Sequence, residues 1–201
     1  MKTRLAPALA VLAALALAVS GCSPTEGDRL ADDYRSGTGQ GYISGDGAYT
    51  VVAPDDRQAP VSFEGVLDTG ESFDTDELAG RPYVVNFWYA SCPPCRLEAP
   101  DLQELAEEFA GEGVPFIGIN IRDQAAQSLA FAEQYGITYP SVIDIDSGEA
   151  RLAFAGQVAP NAVPTTLVVD AQGRVAARIS GLLTEPSTLR AMITDTLAES
   201  G

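Results

Sequence analysis

The chain has 201 residues, 46% of them hydrophobic, which suits one medium-sized domain plus an export segment and excludes a disordered chain. Its formal net charge of −16 excludes nucleic acid as a partner, because phosphate contact requires clustered Lys and Arg, and argues against adsorption to an anionic lipid surface. There is no histidine, and the only cysteines are Cys22, Cys92 and Cys95.

The first stretch reads as an export signal. Lys2 and Arg4 give a positive start, and Leu5 to Val19 is uncharged and rich in Leu and Ala. That run is short of the roughly 20 apolar residues a bilayer-spanning helix needs. Val19-Ser20-Gly21-Cys22 resembles a bacterial lipobox, in which the cysteine is lipid-modified and becomes the first mature residue. An ordinary signal peptide with a chance cysteine, or a short anchor, stays open beside it. The domain plan is then 1–21 signal peptide, 22–50 linker after lipidated Cys22, and 51–201 folded domain. Gly37, Gly39, Gly41, Gly45 and Gly47 punctuate the linker, which offers no apolar period to bury.

From residue 51 the pattern is mixed α/β. Val61-Ser62-Phe63 and Glu64-Gly65-Val66-Leu67 suggest short strands before a turn at Asp68-Thr69-Gly70, and Asp74 to Leu78 a single helical turn. Val84 to Trp88 reads as a buried central strand. After Cys95 a helix is predicted, with Leu97, Leu102, Leu105, Ala106 and Phe109 inward and Glu98, Asp101, Gln103, Glu104, Glu107 and Glu108 outward. Pro100 is expected to kink it, and Gly111 and Gly113 to stop it. Val114 to Ile121 is a second strand. Gln124 to Tyr135 is a second helix, with Leu129, Phe131, Ala132 and Tyr135 as its apolar side. A third strand spans Ser141 to Ile145, and a short helix Glu149 to Ala155. Thr165 to Val169 and Val175 to Ile179 form a hairpin across Asp170 to Gly173. Ser187 is expected to cap a last helix, with Leu189, Met192, Ile193 and Leu197 inward. This order predicts a thioredoxin-like fold, a central mixed sheet with helices on both faces.

The chemistry is carried by Cys92-Pro93-Pro94-Cys95. A disulfide closing so short a loop removes little chain entropy, so a structural role is weak and a redox role strong. A zinc site lacks further soft ligands, and Arg96 after Cys95 breaks the haem-attachment pattern, so neither metal nor cofactor is expected. The pair stands where a strand gives way to a helix. Unpaired N–H groups at a helix start favour an anion, and the thiolate is the nucleophile of disulfide exchange, whereas a free cysteine has a pKa of about 8.5. Cys92 is therefore expected to be the exposed attacking nucleophile, and Cys95, one turn further in, the resolving thiol. Pro93 and Pro94 are tolerated in the first helical turn, and they remove two amide donors that would otherwise stabilise the thiolate, which favours the reduced form as an electron donor.

Asn86-Phe87-Trp88, the CPPC pair and Arg96-Leu97-Glu98-Ala99-Pro100 together resemble the TlpA/ResA-type (DsbE/CcmG-like) branch of the thioredoxin superfamily, over residues 55 to 198. The resemblance implies an exported, lipid-anchored thiol-disulfide oxidoreductase on the extracytoplasmic face of the bacterial cell membrane. Its partners would be protein thiols and disulfides, apocytochrome c among them, with electrons from a membrane thiol donor. The chain is expected to act as a monomer. The resemblance also marks Val163-Pro164-Thr165-Thr166, with Pro164 cis and facing the sulfurs and Val163 offering backbone bonds to substrate. Trp88, Pro93 and Pro94 would complete the substrate surface. Glu98 would exchange protons with the thiols if burial raises its pKa; a solvated helix glutamate is the plain alternative. Asn86 stands where ordinary thioredoxins carry a buried aspartate. Ser91 departs from the family, which places Trp before the first cysteine. A helix–strand insertion at about Gln124 to Ile145 would either shape a partner groove or extend the sheet. The rival functions are a general disulfide oxidant or isomerase and a peroxidase, whose proline–threonine pattern before the cysteine is missing here.

Overall fold

The computed structural model describes residues 48–158 and 162–200, so the expected signal peptide, Cys22 and nearly all of the expected linker lie outside the described residues. The strands are β1 (Ala48–Val51), β2 (Glu64–Val66), β3 (Ser72–Asp74), β4 (Tyr83–Trp88), β5 (Phe116–Asn120), β6 (Ser141–Ile143), β7 (Thr165–Val169) and β8 (Val175–Ser180). The helices are α1 (Pro93–Ala110), α2 (Ala125–Tyr135), α3 (Glu149–Ala153) and α4 (Pro186–Ala198). Six strands form the main sheet in the order β1-β8-β7-β4-β5-β6. β4, β5 and β6 run parallel, β7 is antiparallel to β4, and β8 is antiparallel to both β7 and β1. β2 and β3 make a separate hairpin.

Alternation along β4 sorts its side chains between two cores. Val84 joins Leu102, Leu105, Leu189 and Ile193 on the face covered by α1 and α4. Val85 and Phe87 join Phe63, Phe73 and Phe154 on the face covered by the hairpin and the segment after α3. Asn86 points to the α1 side, as Val84 does, and this placement brings a polar group against the helix that follows the cysteines.

Several expectations need correction. Residues 48–50, expected as linker, belong to β1, which pairs with β8. Val61 to Phe63 is not a strand, and β3 was hidden by its brevity. In α1, Leu102, Leu105 and Phe109 face inward as expected, but Glu98 and Gln103, expected outward, are buried as well, whereas Leu97, expected inward, is 68% exposed. Positions 98, 102, 105 and 109 follow the three- and four-residue steps of a single face, and 97 lies about 100° away from it. The helix runs on through Pro100. In α2, Ser128 and Phe131 are buried, whereas Leu129 is exposed. Helix α4 starts at Pro186 with Glu185 at its cap position, so Ser187 lies inside the first turn and does not cap it. The α2–β6 segment extends the sheet, since β6 is an edge strand beside β5, and it also supplies Phe131 beneath the cysteine pair.

Candidate active site

The site is built at the C-terminal end of β4. The chain leaves the sheet at Trp88, crosses Tyr89 to Ser91, and enters α1 with Cys92 as the N-cap residue and Pro93 and Pro94 in the first turn. Cys92 and Cys95 are disulfide-bonded. The Cys95 backbone N–H donates to the Cys92 sulfur at 3.2 Å, so the first amide donor after the two prolines is aimed at it. A helix start leaves such donors without internal partners, which suits the sulfur to carrying negative charge once reduced.

Exposure departs from expectation. Cys92 is 1% exposed and Cys95 3%, so in the disulfide form the outer sulfur is as covered as the inner one. The cover is apolar: the pair clusters with Trp88, Ala99 and Phe131, and Tyr89, Ala90 and Val163 pack against the cluster. Trp88 is also placed differently from expectation. It is buried, its ring lies 4.3 Å from that of Phe131, and its indole N–H donates to Ser141 Oγ at 3.2 Å, so it supports the pair from beneath and presents no face to a partner. Gly118 permits this crossing, because a Cβ there would lie 2.7 Å from the indole nitrogen and 2.2 Å from Ser141 Oγ. Pro93 is exposed and Pro94 half-buried at the helix tip.

The Val163–Pro164 bond is cis. Pro164 is buried, its carbonyl accepts from the Gly181 N–H at 2.9 Å, and the next residues enter β7 beside β4. Val163 is half-buried and packs against the cysteine cluster, so the cis bond and the disulfide share one end of the sheet.

Glu98 is 1% exposed. Its carboxylate accepts from Asn86 Nδ2 at 2.9 Å and from the Leu183 N–H at 2.9 Å. Burial pushes its pKa up to about 7, against the opposing pull of those two hydrogen bonds, and Asp101 adds a small further rise. Asn86 donates as well to Thr166 Oγ1 at 3.1 Å, and with Cys95, Tyr139 and Ser141 it lines a small cavity behind the inner sulfur. Tyr139 is itself pushed well above its ordinary pKa by burial and by the neighbouring Glu98 charge. The arrangement offers an ionisable group near neutrality one helical turn from Cys95, linked through Asn86 to the cavity the sulfur lines.

Other residues at the site carry no local motif. Asp123, after β5, accepts from the Ala90 N–H at 2.5 Å and from Asn120 Nδ2 at 3.0 Å, while Arg96 donates through Nε to the Ala90 carbonyl at 2.7 Å. Both sides of one peptide residue are thus held, two positions before Cys92. Arg122 lies over the Tyr89 ring, 4.3 Å from its centre. Asn120, whose side-chain oxygen accepts from the N–H groups of Arg122 and Asp123, shapes that turn, and its spacing to Asp123 was the one available sequence signal.

Comparison with known proteins follows the same outline. The sequence profile of the redoxin family matches residues 53–193. The thiol-disulfide oxidoreductase ResA of Halalkalibacterium halodurans is 32% identical over 116 residues, 58% of this chain. The chain spans 63% of the length of that relative. A thioredoxin-family thiol:disulfide interchange protein from Chlorobium tepidum TLS superposes with a TM-score of 0.64 at 31% identity, over 72% of this chain and 99% of the other. A DsbF homologue from Corynebacterium diphtheriae superposes with a TM-score of 0.65 at 31% identity, over 73% and 92% of the two chains. The central sheet and flanking helices are therefore a thioredoxin-like fold.

Proposed function

The chain belongs to the redoxin family, and from that premise we propose that it is an extracytoplasmic thiol-disulfide oxidoreductase acting on proteins through Cys92 and Cys95. The observation that carries this reading is the disulfide at the tip of α1, with the Cys95 N–H aimed at the Cys92 sulfur. Cys92 is the nucleophile. As a thiolate it attacks one sulfur of a partner disulfide, forming a mixed disulfide and releasing the partner's other sulfur as a thiolate that takes up a proton. Cys95 then loses its proton and attacks the Cys92 sulfur. The Cys92–Cys95 bond forms, the mixed disulfide breaks, and the partner leaves with two thiols. Two electrons and two protons pass to the partner in each cycle, and the oxidised pair is reset by a dithiol donor at the membrane.

Glu98 accepts the proton of Cys95 in the second step; its pKa near 7 suits a group that must hold and release a proton at neutral pH. Val163 and Pro164 form the substrate edge opposite the pair, with Pro93 and Pro94 at the helix tip. Trp88 acts only by supporting the pair. Lipidated Cys22 tethers the domain by a spacer ending at β1. The resemblance of the Asn86-to-Trp88, CPPC and Arg96-to-Pro100 segments to the TlpA/ResA branch supports reduction of apocytochrome disulfides as the setting.

The test is a trap. Reduced chain should open the disulfide of a test protein, Cys92→Ala should not, and Cys95→Ala should accumulate a mixed disulfide on Cys92. Absence of both opening and trapping contradicts the reading. Equilibration with glutathione mixtures sets the direction: a strongly oxidising potential turns the proposal towards a disulfide oxidant or isomerase.

A further inference from the structure

We propose that Arg96 and Arg122 form a cationic rim on the redox face that docks a carboxylate-bearing segment of the partner protein beside its cysteine. The inference rests on the reading that the pair exchanges disulfides with proteins, and it names the chemistry of the segment that docks.

The distribution of guanidinium groups is uneven. In a chain of net charge −16, Arg57, Arg151, Arg174 and Arg190 are each ion-paired to carboxylates. Arg81 and Arg178 reach backbone carbonyls at Glu77 and Gln157. Arg96 and Arg122 differ. Both are exposed, both touch the short loop leading into Cys92, and their partners there are neutral: the Ala90 carbonyl and the Tyr89 ring. Arg96 uses only Nε for that bond, so among the described residues the rest of its five-donor fork remains for an incoming group. Among the described residues neither guanidinium meets a carboxylate.

The nearby acids do not cancel this rim. Asp123 is half-buried, with its bonds to the Ala90 N–H and Asn120. Glu98 lies on the inward face of α1, bonded to Asn86 and Leu183. On the outward face, Pro93, Arg96, Leu97 and Pro100 are exposed at three- and four-residue steps from the helix tip. Leu97, 68% exposed, gives this stripe an apolar platform beside the charge. Guanidinium and carboxylate match in shape and charge, and at an exposed rim such a match acts mainly on encounter and selectivity. The acidic body of the chain repels an acidic partner at a distance, but beyond about 8 Å this is largely screened at physiological salt. Discrimination is therefore local to the rim.

The experiment uses the reduced full-length chain and disulfide-linked peptides of one sequence, with Glu, Gln or Lys two residues from the cysteine. At physiological salt the Glu peptide should be reduced about fivefold faster than the Lys peptide, and the ratio should fall towards one in about 1 M salt. In the Arg96→Gln/Arg122→Gln variant the ratio should be near one at both salts; the ratio is insensitive to any loss of overall rate. Equal rates in the unaltered chain, or a faster Lys peptide, overturn the proposal. Failure to reduce even the Gln peptide is a different outcome, because it removes the oxidoreductase reading on which the proposal stands.

Discussion

Two buried carboxylates at opposite ends of the sheet show how differently one chain treats the same chemical group. Glu98 lies at the redox end. Asp170 follows β7, which runs antiparallel to β4, and so sits at the far end. Asp170 is 2% exposed and accepts from Arg57 Nη1 and Arg174 Nε at 2.9 Å and from the Arg174 N–H at 2.8 Å. Burial alone would raise its pKa. The Arg174 backbone bond and the two guanidinium groups outweigh burial and hold it below the ordinary carboxylate range. Arg57 also binds Glu199 beyond α4, so this end ties together the segment after β1, the β7–β8 turn and the C-terminal helix. Glu98 has hydrogen bonds but, among the described residues, no paired cation, and its pKa rises to about 7. One pole fixes a charge to hold the fold; the other leaves a proton exchangeable at working pH.

The largest expected effect comes from breaking the fixed pole. Asp170→Ala leaves the Arg57 guanidinium, 2% exposed, without its inner partner, and should cost about 3–5 kcal/mol in urea unfolding of the oxidised chain. Disulfide exchange by the folded variant should change little. A loss of activity as large as the loss of stability would dissolve the distinction between the two poles.

The next effect sharpens the contrast through pH. Because the folded pKa of Glu98 lies above its unfolded value of 4.5, the native state holds a proton that the unfolded chain has released. Stability contributed by this group is complete below 4.5 and is lost as pH rises through about 7, a difference on the order of 3 kcal/mol. Asp170 has the opposite sign: its contribution is present above the unfolded value of 3.8 and disappears on acidification. Glu98→Gln should therefore gain stability relative to the unaltered chain between pH 4.5 and about 8, and should flatten the pH profile of the exchange rate near neutrality. An unchanged stability difference across that range contradicts the assignment of Glu98 as the neutral-range group.

The smallest effect concerns Tyr83, near Asp170. Its hydroxyl is buried without a hydrogen-bond partner among the described residues, and burial with the Asp170 charge pushes its pKa up to about 12. Tyr83→Phe removes an unsatisfied polar atom, so it should be neutral or stabilising by up to about 1 kcal/mol, measured by the same unfolding curves.

Much of this was legible in the sequence because it is local. The apolar run of β4, the prolines after Cys92 and the alternation of strands and helices are each set within a few residues. What was not legible depends on distant partners. Residues 48–50 read as linker because their ladder partner, β8, lies more than a hundred residues on. The family resemblance marks Glu98, but the periodicity of α1 places it among the outward polar residues. Its burial comes from Leu183, which donates across 85 residues, and from a helix phase that brings Glu98 inward and turns Leu97 to solvent. Asp123 looks like an ordinary loop acid until the fold sets it against the Ala90 amide, 33 positions away. The apolar packing around the cysteine pair was missed for a related reason. Its components, Tyr89, Phe131 and Val163, come from three separate segments, and no local pattern reports their meeting.

Once the disulfide is opened, the two thiols must differ in reactivity if Cys92 is the nucleophile and Cys95 the resolving thiol. Alkylation of the reduced chain followed against pH, with the modified cysteine identified at each point, measures this. Cys92 should be modified first, and at a pH clearly below that at which an ordinary peptide cysteine reacts, with Cys95 lagging behind. Modification of Cys95 ahead of Cys92, or of Cys92 only where a simple peptide thiol already reacts, would contradict this assignment.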